Sequence, residues 1–191
     1  MALAYGERVA SGVVVSNADS AWTYRHLLDG AVRRRWTDRR LDRTRSSMGL
    51  FVWYFGTRRR FDAVGHHTIL LGARYRGLLH DIFERKVLAP DFSLYLHRPT
   101  ATDPSLAPPG CDAFYVLSPV PHLGSGTDWH GRAELYRQAI ARHLGETVLP
   151  DVEANIVTSL VTTPQDFQDR LLSFRGAAFG MEPVLTQSAW F

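Results

Sequence analysis

The chain carries eight histidines and a single cysteine, the residue types best suited to holding a metal or forming a covalent bond. His66 and His67 are adjacent, and on a strand the two-residue period would send their rings to opposite faces. No other His, Cys or carboxylate stands nearby at a ligand spacing such as H-x-x-x-H, so the spacing predicts no metal site. Cys111 has no partner cysteine and reads as a free thiol of a reducing compartment. No G-x-S-x-G turn presents a serine nucleophile. The stretch GSGTDW at 124–129 lacks the third glycine of a dinucleotide loop and opens no βαβ unit, so it reads as an ordinary turn. By its own motifs the chain binds no nucleotide.

Polar chemistry concentrates instead in the tail, SFRGAAFGMEPVLTQSAWF at 173–191. Gly176, Ala177, Ala178 and Gly180 allow the backbone to approach a neighbour closely. Glu182 and Gln187 stand in an otherwise apolar run, and buried polar groups need a partner, which can be backbone, water or ligand. A glutamate capping a local turn is the plain alternative. Chain ends are usually polar and frayed, so the uncharged run closing on Trp190 and Phe191 is expected to belong inside a larger domain.

The elements that position these groups follow from patterning. With 45% hydrophobic and 21% charged residues, the composition is that of an ordinary globular chain with one core. The longest apolar run, MGLFVWYFG at 48–56, falls short of the roughly 18 residues a membrane-spanning helix needs. The start lacks the basic and apolar regions of a secretory signal. Residues 13–15 read as a β-branched strand, with Asn17 or Asp19 capping a helix after it. Residues 20–45 read as two helical pieces broken at Asp29-Gly30. In SMGLFVWYFGTRRR, Met48, Leu50, Val52 and Tyr54 share one strand face and Phe51, Trp53 and Phe55 the other, so both faces are apolar.

Further strands are expected at 66–71, 92–97, 114–119 and 154–163, and helices at 75–86, 129–149 and 164–172. The four-proline connection between the 92–97 and 114–119 strands is long for a loop without structure, so it is either functional or ordered by packing. Strands interspersed with helices give an α+β fold with a mixed sheet and flanking helices.

Charge is local. Of 22 basic residues only Lys86 is a lysine, and ten arginines lie between Arg33 and Arg60 against Asp38 and Asp42. Such a cluster suits anionic headgroups or a solvated helix face. Nucleic-acid modules interleave aromatics with basic residues on a sheet. Here the two are segregated, which argues against nucleic acid.

Taken together, SMGLFVWYFGTRRR, HHTILLG, YRGLL, LYLHRPTATDPSLAPPGCDAFYVLSPVPHLG and LLSFRGAAFGMEPVLTQSAWF closely resemble bacterial and fungal type phytoene desaturases, flavoproteins of the amine-oxidase-like superfamily. The likeness runs from about Gly6 to Phe191. It implies part of a two-domain FAD-dependent oxidoreductase that dehydrogenates phytoene toward lycopene, with this piece inactive by itself. On that resemblance, 1–19 is a strand returning from the cofactor domain, 20–160 the substrate- and membrane-associating domain, and 161–191 the return toward FAD. It puts Asn17, Asp19, Glu182 and Gln187 near the flavin and makes Leu50, Val52, Trp53, Tyr54 and Phe55 a wall of the substrate tunnel. It further implies peripheral attachment at the cytoplasmic side of a membrane through Arg33, Arg34, Arg35, Trp36, Arg39 and Arg40. No catalytic residue is assigned. A stand-alone isoprenoid- or lipid-binding module is the alternative, and a soluble, monodisperse chain would favour it.

Overall fold

The structure, a computed structural model, describes residues 2–188, so Trp190 and Phe191 lie outside the described residues. The helical segments are α1 (Ser20–Trp22, running on as a π turn over Thr23–Leu27), α2 (Asp38–Arg43), α3 (Tyr75–His80, continued by a π turn over Asp81–Arg85), α4 (Trp129–Thr147), α5 (Val152–Asn155), α6 (Pro164–Leu171) and α7 (Leu185–Ser188). Five strands, β1 (Gly49–Thr57), β2 (His67–Leu70), β3 (Leu94–His97), β4 (Asp112–Val120) and β5 (Ile156–Thr162), form one sheet in the order β2-β3-β4-β1-β5. Every pairing is antiparallel. The α+β class stands, and the sheet is antiparallel rather than mixed.

The sheet has two unlike faces because side chains alternate along each strand. On the inner face, Phe51 and Trp53 of β1, Leu94 and Leu96 of β3, and Phe114 and Val116 of β4 are buried with Trp129, Tyr136, Ile140 and Leu144 of α4. Phe51 meets the ring of Tyr136 edge-on at 4.9 Å and that of Trp129 at 5.6 Å. Asp128 starts α4 by accepting hydrogen bonds from the backbone N–H groups of His130 and Gly131, an N-cap that satisfies donors the helix cannot. A capping box of Thr163 and Asp166 starts α6, and Pro164 occupies its first turn.

Two expectations are corrected. Val13–Val15 belongs to no strand and is largely exposed, with Val15 at 90%. β-branched residues favour the extended form, but unpaired strand backbone gains nothing over solvated chain. The helix expected over residues 31–45 is also broken. Only a 3-10 turn at Gly30–Val32 and the short α2 are helical, because Thr37 caps a fresh start by accepting from Arg40 N. The neighbouring Arg33 folds back to bond Asp38 at 2.7 Å.

The tail lies against the entry to β1. Ala178 N donates to Met48 O, Ser47 N to Gly180 O and Glu182 N to Arg45 O, each at 2.9 Å. Gly176, at φ +63°, has no room for a side chain, since a Cβ there would sit 2.1 Å from Pro164 O.

Candidate functional site

The outer face of the sheet is the distinctive surface. Strand register brings Tyr54 opposite Tyr115 and Leu160, Leu117 opposite Tyr95, and Tyr115 opposite His97. Among the described residues no helix packs over Tyr54, Ile69 or Leu160, which stay 44%, 69% and 56% exposed. An antiparallel sheet normally solvates its second face with polar groups; this one is aromatic and aliphatic.

The Pro-rich connection from β3 to β4 closes over part of that face. Between them lies a cavity of about 500 Å³, walled by Tyr54, Tyr115, Leu160, Val157, Leu106 and Pro108. Its size is that of a small-molecule cleft. The connection is ordered at its base: Asp112, buried at the start of β4, accepts from Arg98 Nε at 2.9 Å, Thr100 Oγ1 at 2.7 Å and Phe61 N at 2.7 Å. Arg98 also donates to Asp62 and to Val64 O, both at 2.9 Å. Burial alone would lower the Arg98 pKa, and the bonds to Asp112 and Asp62 outweigh it and raise it. The guanidinium is therefore a fixed cation that anchors both ends of the connection.

The residues assigned to a tunnel wall divide between the faces. Tyr54 and Phe55 border the cavity. Trp53 is sealed in the inner core, its Nε1 donating to Ser159 Oγ at 2.8 Å, while Leu50 and Val52 are buried on the outer-face register. The sequence reading missed Tyr115, Leu160, Leu106 and Pro108. Alternation could have marked Tyr115 and Leu160, but only the register sets them beside Tyr54.

The four polar residues assigned to a flavin fall on either side of the tail. Asn17 and Asp19 line a cavity of about 480 Å³ with Phe179, Gly180 and Met181. Asp19 also caps α1 through Trp22 N at 2.9 Å, and a Cβ at Gly180, where φ is +67°, would lie 3.5 Å from that carboxylate. Glu182 and Gln187 converge on Arg45 instead. Glu182 Oε2 lies 2.5 Å from Arg45 Nε, Gln187 Oε1 accepts from Arg45 N at 2.9 Å, and Gln187 Nε2 donates to Arg45 O at 2.8 Å.

Of the surface cluster, Arg33 pairs with Asp38, and Trp36 stacks on Tyr24 at 5.6 Å beneath the Arg40 guanidinium. Arg34, Arg35, Arg39 and Arg40 are exposed, as are the nearby apolar Leu27, Leu28 and Val32. No helix among the described residues is long and apolar enough to cross a membrane.

The expectation that His66 and His67 diverge is corrected. His66 precedes β2 rather than lying in it, so strand alternation does not separate the pair, and their rings meet at a tilt with centroids 4.3 Å apart. His97 stands directly opposite His67 in the β2–β3 register. One ring nitrogen of each of the three lies within 4.8 Å of the others.

An α+β domain with one helix-covered sheet face and one open apolar face that carries a cleft is the class these features define. No family model matches the chain. It is 51% identical over 191 residues to the neurosporene-forming phytoene desaturase of Rhodobacter capsulatus, covering 97% of this chain and 36% of that protein. It is 52% identical to the neurosporene-forming enzyme of Cereibacter sphaeroides over 99% of this chain and 37% of that one. The lycopene-forming phytoene desaturase of a Paracoccus species is 46% identical over 99% of this chain and 38% of its own length. At such identity along nearly all its residues the chain belongs to the phytoene desaturase family, and it spans little more than a third of the length of these relatives.

Proposed function

We propose that these residues are the substrate-binding sheet of a longer FAD-dependent desaturase that removes hydrogen from phytoene on the way to lycopene. The open apolar face, with its cleft beneath the 98–112 connection, is the observation that supports this reading. A C40 hydrocarbon offers nothing to hydrogen-bond. Its binding therefore comes from contact, at about 0.8 kcal/mol per buried methylene, and an aromatic and aliphatic sheet face supplies contact while excluding water. Tyr54, Tyr115, Leu160 and Leu106 are the residues of that wall.

The described residues do not make a flavin site by themselves. No glycine-rich loop follows a strand, Glu182 and Gln187 are bonded to Arg45, and Asp19 caps a helix. No reaction step is assigned to them. On this reading Asn17, Asp19 and the Ala178–Met181 backbone border the flavin, whose phosphates are held by the part of the enzyme to which these residues are joined. Peripheral attachment at the cytoplasmic face of a membrane uses Arg34, Arg35, Arg39 and Arg40 for anionic headgroups, with Leu27, Leu28 and Val32 as the apolar edge.

The test is to express the longer protein containing these 191 residues and assay it with phytoene in liposomes. Bound flavin, coloured polyene products and co-sedimentation with anionic but not zwitterionic vesicles are expected. A protein that folds yet stays colourless and leaves phytoene unchanged would overturn the desaturase reading and leave an isoprenoid-binding module in its place.

A further inference from the structure

We propose that His66, His67 and His97 form a binding site for one divalent d-block cation, zinc foremost, at the β2–β3 edge of the sheet. The proposal does not depend on the desaturase reading. Its geometric basis is the β2–β3 register, which sets His67 opposite His97, together with the position of His66 just outside the strand, which folds its ring back onto the same side. All three ligand atoms are imidazole nitrogens, the donor type that zinc, nickel, copper and cobalt share.

The surroundings suit a metal better than a chance cluster. His66 Nε2 and His97 Nε2 face each other at 2.8 Å, so in the metal-free protein they share one proton, and an ion replaces it. The other nitrogen of His66 is bonded to Thr102 Oγ1, and His67 Nδ1 is bonded to Tyr95 Oη at 2.6 Å. In the zinc-bound form these hydroxyls would accept from Nδ1–H, leaving Nε2 of each ring as the ligand. Hydrogen bonds of this kind fix ring orientation around bound zinc.

His97 Nδ1 is buried without a hydrogen-bond partner, so it is open to take the ring proton when Nε2 ligates the ion. Arg98, the next residue, does not oppose a cation, because Asp62 and Asp112 neutralise it.

Tetrahedral zinc with Zn–N bonds of 2.0–2.1 Å places its ligand nitrogens about 3.4 Å apart. The three nitrogens lie within 4.8 Å, so small side-chain rotations complete the set. Three histidines leave a fourth position for water or another ligand. Tyr115, opposite His97 in the sheet and tilted against it with ring centroids 4.5 Å apart, also borders the apolar cleft, so the ion would sit at the margin of that cleft.

The measurement is a zinc titration of the purified protein against a chromophoric chelator, with cobalt absorption as a report on geometry. One equivalent bound with micromolar or tighter affinity is expected, with tetrahedral cobalt bands and a raised melting temperature. His67→Gln and His97→Gln should each weaken binding at least tenfold and abolish the cobalt bands. His67 is exposed, so its variant keeps the fold, and an unchanged metal-free melting temperature verifies that. Absence of binding at micromolar zinc would overturn the proposal, as would binding that both variants leave intact.

Discussion

His122 shows how one side chain couples burial to charge. It lies between β4 and α4, 5% exposed, where its Nδ1 accepts from Gly124 N at 3.0 Å and so caps a 3-10 turn. Burial, then the positive charges of Lys86 and Arg175, push its pKa from 6.5 down to about 4. Between those values the folded form binds fewer protons than the unfolded one. The stability His122 contributes is thus complete above about pH 6.5 and is lost as pH falls through about 4; the sum is about 3 kcal/mol. His122→Asn keeps an acceptor for the turn and removes the titration. Urea midpoints at pH 7 and pH 4 should fall less for this variant than for the parent, and equal falls would contradict the assignment. At the same scale, the types of Glu182 and Gln187 flagged the tail as a place of polar pairing, but their partner Arg45 lies 137 and 142 positions away, a separation no local pattern encodes.

At the scale of elements, the connection between β3 and β4 is held by a buried ion pair rather than by its own turns. Arg98 and Asp112 are 2% and 1% exposed, and Asp112 also satisfies Thr100 and Phe61. Removing one partner of such a pair strands the other charge, which costs about 3–5 kcal/mol. Asp112→Ala should lower unfolding stability in urea by about that amount and loosen the 98–112 segment to protease. A loss below about 1 kcal/mol would show the clamp to be a surface-like pair instead. The alternating runs of β1, β3, β4 and β5, and the long helical period of α4, were legible because period is a local property. Strand order and register were not, since they arise when distant segments meet. That is why Tyr115 escaped notice beside Tyr54 and why the two adjacent histidines read as divergent. Val13–Val15 erred in the other direction, its local propensity having no partner strand to act on.

At the scale of the molecule, one sheet serves two surfaces. Its inner face is closed by α4 and supplies the core, while its outer face stays apolar and carries the cleft. Relatives that match nearly every residue of this chain are phytoene desaturases of which it spans little more than a third. The central claim is that the outer face, and not the inner, meets the hydrocarbon. The most direct test is phytoene turnover by the longer flavin-loaded enzyme bearing Leu106→Glu or Leu160→Arg, with Leu135→Arg on α4 as the control. Leu106 is 54% exposed on the connection, so its replacement leaves the fold intact, and retained flavin absorbance verifies that. Both cleft variants are predicted to lose at least tenfold in turnover at low phytoene while the control keeps the parent rate. Turnover unchanged in both cleft variants would contradict the account.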